Sequence, residues 1–288
     1  MKKIFKYRTK TLKIIGQVRK LITNYKGRKL TLRQIFYQLV AKKIIPNNIR
    51  AYKNLSYLIA KARKNGDFPW DVMRDHTRFV IKENSWPNYK DFTKKIEKIY
   101  HKSKLANQRN YIEIWIEKDS LREWFEPITK EFDIPLIICR GYPSITTLYE
   151  ASKRLKEIQK PIHILYFGDF DPSGEDIFRT IKEKLTKDFG INRKKLHIKK
   201  VALTLEDIKK YKLPPAPTKA SDSRSSKFVK KYGNFAVELE ALPVKVLEQK
   251  IKRSIKSLLN WKQFRKDLKR EKQEAKKLKK LVEKIEKA

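Results

Sequence analysis

Three acidic side chains stand at the ends of predicted strands. Glu117 directly follows the strand predicted over residues 111–116, and Asp169 and Asp171 closely follow another predicted over residues 163–167. Residues i and i+2 of an extended segment point the same way, so both aspartates can face one site. Three carboxylates without His or Cys favour a hard cation with oxygen ligands. We therefore expect Glu117, Asp169 and Asp171 to bind Mg²⁺, with Mn²⁺ as a substitute.

The pattern Asp-x-Asp-x-x-Gly at residues 169–174 is weak by itself, because aspartates and glycines also populate turns for local reasons. Gly168 and Gly174 would let the backbone turn sharply and approach a phosphate or metal shell. The acid that ends an earlier strand, Glu117, strengthens the metal interpretation.

A candidate nucleophile lies far upstream, at Tyr37. It falls off the apolar stripe of its predicted helix, which consists of Leu32, Ile35, Phe36, Leu39 and Val40. Arg33 lies one turn earlier on the same face, where a guanidinium would favour the phenolate and grip a phosphate. Spacing alone favours the other interpretation, an interfacial tyrosine with its hydroxyl in water and a half-packed ring.

The elements that must position these groups change character along the chain. From Tyr111, predicted strands alternate with helices at 111–116, 121–132, 135–139, 144–158, 163–167, 175–189 and 196–203. This alternation indicates a parallel α/β sheet with right-handed crossovers, in which ligands bind at the carboxyl ends of the strands.

The first 82 residues read as helices followed by a short hairpin, the outline of a winged helix. Its second helix carries the cations Arg50, Lys53, Lys61, Arg63 and Lys64, which we predict to contact nucleic acid. A plain helical domain with a solvated basic face remains the alternative. We expect domains at 1–82 (winged helix), 83–108 (connector) and 109–245 (α/β), and a basic helical extension at 246–288.

The charge is strongly one-sided: 71 Lys and Arg against 32 Asp and Glu give a net charge of +39. Such a surface attracts polyanions, of which nucleic acid is the commonest. A hyperthermophile composition is the other explanation, but thermophilic surfaces balance the two signs. The single cysteine excludes an intramolecular disulfide, and no run is long and apolar enough for a membrane span. We expect a soluble cytoplasmic, nucleoid-associated protein.

The order strand, Glu117, crossover, strand, crossover, strand, Asp169-x-Asp171 resembles a Toprim domain. The segment Arg33-Gln34-Ile35-Phe36-Tyr37 resembles the Arg-x-hydrophobic-aromatic-Tyr motif shared by the A subunit of topoisomerase VI and its meiotic double-strand-break relatives. That family also places its tyrosine in a winged helix ahead of a Toprim domain. Short stand-alone members, sometimes called topoisomerase mini-A, are the form that this chain resembles.

The resemblance implies a type IIB topoisomerase A-subunit-like enzyme that cleaves double-stranded DNA. Tyr37 would attack the backbone and become linked to a 5′ end, Arg33 would stabilise the developing charge, and Glu117 could deliver a proton. Cutting both strands implies a homodimer, in which the tyrosine of one protomer meets the metal site of the other. Further matching stretches contain Arg78, Arg140 and Arg224, which we predict to contact DNA, and Glu238 and Glu240, which receive no role.

There are departures from the family pattern. Gln34 stands where the family often has an acid, and no Gly-x-x-x-x-Gly-Lys-Ser/Thr motif occurs, so no ATP site is expected in this chain. A separate ATPase or accessory protein would then be a partner. Two other functions remain open: a metal-dependent nuclease that uses water while Tyr37 is structural, and a non-catalytic DNA-binding protein. The C-terminal basic helix could grip DNA, pack on a partner or pack on its own domain.

Overall fold

The N-terminal region is helical in the computed structural model, which describes residues 7–24, 30–69, 85–218, 222 and 224–287. Its helices are α1 (Thr9–Asn24), α2 (Leu32–Ala41), α3 (Ile49–Lys64) and α4 (Tyr89–Ile99). Thr31 caps α2 in a reciprocal capping box with Gln34, and Gly66 follows the end of α3 with φ +84°. The predicted wing, including Arg78, lies outside the described residues except for its first two.

Four parallel strands form one sheet in the order β2-β1-β3-β4. They are β1 (Tyr111–Ile116), β2 (Leu136–Ile138), β3 (Ile162–Phe167) and β4 (Leu196–Ala202). The parallel α/β sheet predicted from the alternation is therefore confirmed. The last residues of β1 and β3, Ile116 and Phe167, are paired, so the segments that carry the three predicted acids leave the sheet side by side.

Helices cover both faces of the sheet, because alternate residues of each buried strand face opposite layers. Helices α6 (Ile145–Glu157) and α7 (Pro172–Glu183) pack on the face that includes Trp115 and Ile164. The other face includes Ile114 and packs with α5 (Arg122–Phe132) and α10 (Val244–Lys256). Two shorter helices, α8 (Leu205–Tyr211) and α9 (Ser225–Tyr232), lie between β4 and α10 in the chain.

The basic C-terminal region forms two helices rather than the single one predicted over 246–288. Helix α10 buries Leu247, Ile251 and Ile255, and α11 (Trp261–Lys287) begins after a break where the Asn260 side chain accepts a hydrogen bond from the Gln263 amide. This asparagine starts a new helix instead of continuing the old one.

Helix α11 packs on α4, and salt bridges join α11 to the segment that follows α4. Lys102 Nζ lies 3.2 Å from Glu274 Oε2, and Lys104 Nζ lies 2.9 Å from Glu271 Oε2. Both C-terminal helices therefore pack on their own chain. Within the described residues, no helix combines the length and apolar character needed to cross a membrane.

Candidate active site

Glu117 and Asp169 meet at the carboxyl edge of the sheet. The Glu117 amide donates to the Phe167 carbonyl at 2.9 Å, which continues the ladder beyond β1. The Asp169 amide in turn donates to Glu117 Oε2 at 3.0 Å, and the Tyr166 hydroxyl donates to the same oxygen at 3.2 Å. The strand ends thus bring these two acids together, as the topology predicts.

Close approach, rather than a left-handed turn, requires glycine beside the acids. A Cβ on Gly168 would lie 2.6 Å from both Glu117 Oε2 and the Tyr166 hydroxyl, and a Cβ on Gly174 would lie 2.4 Å from the Asp169 carbonyl oxygen. Neither glycine has a positive φ. Glycine is therefore needed at these positions because a side chain would clash with its neighbours, and not because of the sharp turn that we expected.

Asp171 caps helix α7. Its Oδ1 accepts the Gly174 amide at 2.6 Å, and Pro172 occupies the first helical position. Burial, followed by the charge of Asp169, raises the pKa of Asp171. The same two causes raise the pKa of Glu117 to about 7. The three predicted acids are therefore close enough to repel one another electrostatically at this buried edge of the sheet.

Lys118, which the sequence analysis did not single out, neutralises this acidic edge. Its Nζ lies 2.7 Å from Asp169 Oδ2, 2.5 Å from Glu238 Oε2 and 3.1 Å from Glu240 Oε2. Burial alone lowers the pKa of Lys118, but the three carboxylates more than reverse this effect and raise it. The only signal in the sequence was its position directly after Glu117.

Glu238 and Glu240 connect the sheet edge to helix α2. Glu238 directly precedes a 3₁₀ turn at Leu239–Ala241, Glu240 lies within it, and this turn packs against α2. Arg33 donates from its terminal nitrogen to Glu238 at 2.7 Å, and its Nε lies 3.2 Å from Glu240 Oε2. The two glutamates left without a role in the sequence thus form a shared ionic network with Arg33 and Lys118.

Gln34 also joins α2 to this edge. Its side-chain oxygen accepts the Thr31 amide at 2.7 Å, and its nitrogen donates to the Ser120 carbonyl at 3.3 Å. An acid at this position could form the first bond but not the second, because a carboxylate has no N–H to donate. Gln34, the departure from the family pattern, therefore has a structural role, because it links α2 to the Ser120 carbonyl.

Tyr37 is more buried than the helical stripe indicates. Its side chain is only 9% exposed and packs edge-to-face on Phe36 at 5.1 Å. The expectation that only the apolar stripe of α2 is buried was wrong. Neighbouring helices and the Leu239–Ala241 turn enclose α2 on nearly all sides. The Arg33 guanidinium does lie over the ring, 5.8 Å from its centroid.

The phenol is also less acidic than the sequence analysis expects. Burial, then the charge and hydrogen bond of Glu238, raise the pKa of Tyr37 well above its usual value. Arg33 lowers it, but by less, since that guanidinium is shared with two carboxylates. The expected phenolate-favouring effect of Arg33 is thus outweighed in this conformation.

One small cavity is lined by both the predicted nucleophile and one of the three predicted acids, Asp171. It has a volume of about 110 Å³ and is lined by Tyr37, Asp171, Ser173 and Glu238, among others. This space can hold a phosphate-sized group but not a nucleotide. Tyr37 and Asp171 therefore face one cavity within a single chain.

The predicted nucleic-acid contacts on α3 separate into two groups. Arg50, Lys53 and Lys64 are exposed, whereas Lys61 and Arg63 are half-buried. Their basic side chains lie on a helix that begins at Asn48, whose side chain accepts the Ala51 amide. Their contact with DNA stays a prediction.

Arg140 and Arg224 are held by ion pairs. Arg140 donates to Asp119 Oδ2 at 2.9 Å, and Arg224 donates to Asp222 Oδ1 at 2.7 Å. Arg224 also contacts the Tyr142 hydroxyl. Binding of a phosphate by either guanidinium would compete with an existing carboxylate, so these are weaker candidates than the exposed cations of α3.

A family model for the Toprim domain of the topoisomerase 6 A-subunit/Spo11 proteins matches residues 114–263, just over half of the chain. The chain belongs to the topoisomerase 6 A-subunit/Spo11 family. The Toprim match includes Glu117, Asp169 and Asp171, and it runs past the predicted domain end at 245 through α10. Tyr37 and Arg33 precede the matched residues. Comparison with curated proteins gives no match.

The acids of this Toprim domain fit Mg²⁺ by ligand type, since Glu117, Asp169 and Asp171 offer only carboxylate oxygens. The carboxylates repel one another, and this repulsion contributes to the raised pKa values of Glu117 and Asp171. A divalent cation would relieve it. Within the described parts of the chain, no three His, Cys, Asp or Glu side chains are already gathered as a metal cage. Asp169 instead pairs with Lys118.

The ionic network predicts a specific acid sensitivity. Burial raises the pKa of Glu238, but Lys118 and Arg33 outweigh it and lower the pKa to about 2, against an ordinary 4.5. The carboxylate therefore stabilises the fold above about pH 4.5, and this contribution is lost as the pH falls towards 2. We expect Glu238→Gln to remove roughly 2 kcal/mol of this pH-dependent stability.

The measurement is the free energy of unfolding in urea between about pH 5 and pH 2. The Glu238→Gln protein should show a shallower loss than the wild type, whereas Glu157→Gln, at an exposed site, should follow the wild-type curve. Equal slopes for Glu238→Gln and wild type would contradict the coupling of Glu238 to its two cations.

Proposed function

We propose that this protein cleaves both strands of DNA by tyrosine transesterification, in the manner of the A subunit of a topoisomerase but without its own ATPase. The single observation that supports this most is the shared cavity between Tyr37 and Asp171, in a chain whose Toprim domain belongs to a DNA-cleaving family. The domain organisation stays a proposal: a winged helix that carries Tyr37, a connector, the Toprim domain, whose family match ends at 263 rather than 245, and a C-terminal extension.

In the proposed reaction, the Tyr37 oxygen bonds to a backbone phosphorus and the bond from phosphorus to one sugar oxygen breaks. The phenolic proton passes to Glu238, which already accepts the Tyr37 hydroxyl hydrogen bond. The departing sugar oxygen takes a proton from a water molecule that Glu117 would hold beside it, which leaves hydroxide, because Glu117 as a metal ligand is itself ionised. The phosphodiester is conserved as a phosphotyrosyl bond, so no external energy is required.

Arg33 serves as the phosphate-binding cation of this mechanism. In the resting conformation it is paired with Glu238 and Glu240, and 48% of its side chain is exposed. A scissile phosphate that draws Arg33 away from Glu238 would raise the pKa of that carboxyl and make it a better proton acceptor. Substrate binding and activation of Tyr37 would thus be linked through one guanidinium.

Glu117, Asp169 and Asp171 would hold Mg²⁺. When bound there, the ion would neutralise the phosphate charge and orient the DNA. Lys118 then has to share Asp169 with the metal, which its pairing with Glu238 and Glu240 allows. We propose a homodimer with one tyrosine and one acid cluster per chain, because each strand needs its own site.

A hydrolytic nuclease is the second candidate function. The burial and raised pKa of Tyr37, and its position outside the matched residues, favour this alternative. Water would then be the nucleophile beside the same carboxylates, and Tyr37 would be a packing residue.

Plasmid cleavage followed by protease treatment tests the proposal. Plasmid is incubated with the protein and Mg²⁺ or Mn²⁺, denatured with detergent, and divided into samples with and without protease. We expect linear DNA whose mobility depends on protease, because the protein remains attached to the ends. Linear DNA of the same mobility in both samples would show hydrolysis, and uncut plasmid with every metal would favour a non-catalytic role.

A further inference from the structure

A large basic cleft runs along the open edge of the sheet. Its volume is about 1200 Å³, and it lies between α7, α9, β4 and the end of α10. Within the described residues, β4 has only β3 as a sheet partner, so the cleft follows an uncovered strand edge. It shares only Pro172 with the Tyr37 cavity and is therefore a separate surface.

The acids of this cleft are already neutralised. Glu175 pairs with Lys200 at 2.5 Å, and Asp176 and Glu183 pair with the same guanidinium, that of Arg179, at 2.6 and 2.5 Å. These are the three acidic side chains that line the cleft. None of them is left to balance the other cations there.

Five cations that line the cleft make no ion pair within the described residues. They come from α7, the loop before β4, β4 itself and α9: Lys182, Arg193, Lys199, Lys227 and Lys231. Cations from four segments that converge on one concave surface repel one another and create a strong positive potential. A ligand with repeated negative charges would relieve this repulsion.

The shape and position of the cleft indicate the class of ligand. It is far larger than one phosphate, and it begins at Pro172, the residue after Asp171, and extends along α7. A helix of 12 residues is about 18 Å long, which corresponds to roughly five base pairs of DNA. A strand that leaves the acid cluster along α7 would therefore place successive phosphates over the unpaired cations.

Two stacked imidazoles add an aromatic surface to the charge. The His163 and His197 rings lie 4.8 Å apart at 22°, and both line the cleft. Proteins that hold nucleic-acid strands commonly combine a basic groove with aromatic rings. This combination favours a nucleic acid over a small anion.

We infer that this cleft is a second nucleic-acid site, which binds the phosphate backbone of DNA beyond the cleavage position. The inference rests on the proposed action on DNA, but it concerns binding and not chemistry. The cleft would hold the DNA arm that extends from the acid cluster, and it would add affinity without touching the scissile phosphate. Duplex and single-stranded DNA share this backbone chemistry.

The test is fluorescence anisotropy with the full chain and two labelled probes, a short duplex and a single strand. The triple variant Lys182→Gln, Lys199→Gln and Lys227→Gln is compared with wild type over a range of salt. We expect weaker binding by about tenfold or more, and a slope of log Kd against log salt that is smaller by about 3. The probe with the larger loss identifies whether the cleft holds duplex or single strand.

The matched control removes the same charge elsewhere on the Toprim domain, with Lys130→Gln, Lys153→Gln and Lys156→Gln. Equal losses for the two triple variants would overturn the inference, because the effect would then follow from net charge alone. If the cleft triple variant does not fold, Lys199→Glu and Lys227→Glu are measured singly, since both side chains are exposed. Binding is read without cleavage, so an inactive protein would contradict the proposed function while leaving this result readable.

Discussion

Replacing Tyr37 with phenylalanine is expected to abolish the covalent protein–DNA adduct while leaving DNA binding intact. The substitution removes one hydroxyl from a buried ring that packs on Phe36, so the fold should tolerate it. Without the phenolic oxygen no phosphotyrosyl bond can form, and adduct formation should fall below about a thousandth of the wild-type level. The measurement is the protease-dependent shift of linear plasmid, with anisotropy as the check on binding.

The control for this variant is Tyr57→Phe on α3, where the side chain is 72% exposed and lies outside the Tyr37 cavity. It should cleave like wild type. Cleavage that persists in the Tyr37→Phe protein and yields protein-free DNA ends would contradict the transesterification mechanism and support hydrolysis.

A mixture of two inactive proteins tests which chain supplies the tyrosine. Tyr37→Phe chains are combined with Asp169→Asn chains so that mixed dimers form. If the tyrosine acts on the partner's acid cluster, the mixed dimer has one intact site and nicks one strand. If Tyr37 acts beside its own acids, with which it shares a cavity in a single chain, the mixed dimer has no intact site.

Replacing Lys118 with methionine is expected to cost about 3–5 kcal/mol of unfolding free energy in metal-free buffer. The ammonium is bound by Asp169, Glu238 and Glu240, and only 17% of its side chain is exposed. Removing it leaves three carboxylates facing one another, and among the described residues Arg33 is then the remaining cation paired with them, through Glu238 and Glu240. The measurement is urea unfolding in the presence of a chelator.

The control is Lys153→Met, at an exposed surface pair with Glu150 whose loss should leave the free energy of unfolding close to that of the wild type. We also expect added Mg²⁺ to stabilise the Lys118→Met protein more than the wild type, because bare carboxylates attract a divalent cation more strongly. A Lys118→Met protein as stable as wild type would contradict the role of Lys118 as the internal counter-ion.

The local sequence pattern was sufficient to predict the parallel sheet and the edge of the sheet at which the acids lie. Residues 111–116 are apolar apart from Glu113, and the predicted β1 agrees with the structure at both ends. Because parallel strands end at the same edge of a sheet, the alternation of strands and helices predicted that Glu117 and Asp169 lie at one edge, and the pairing of β1 with β3 brings them together. The Thr31 cap and the Gly66 helix end were likewise readable, since each depends on a few neighbouring residues.

The state of the nucleophile was not readable in the same way. Tyr37 lies off the apolar stripe of α2, yet it is buried, because neighbours distant in sequence enclose that helix on its polar side too. Arg33 pairs with Glu238 across 205 residues and Lys118 pairs with it across 120. A pKa depends on the charges and the solvent within a few ångströms, and no spacing rule reports which distant residues will supply them.

The amino-acid sequence alone was therefore enough to establish a parallel α/β domain with three acids at strand ends, and the basic character of the chain. The positions of the strands and helices follow from short-range periodicity, which the sequence itself carries, whereas the strand order β2-β1-β3-β4 results from tertiary packing. The network that ties Arg33 and Tyr37 to Lys118 and the acids, and the basic cleft on the open β4 edge, arise only when segments far apart in the chain are packed together. Burial and charge pairing are properties of that packing.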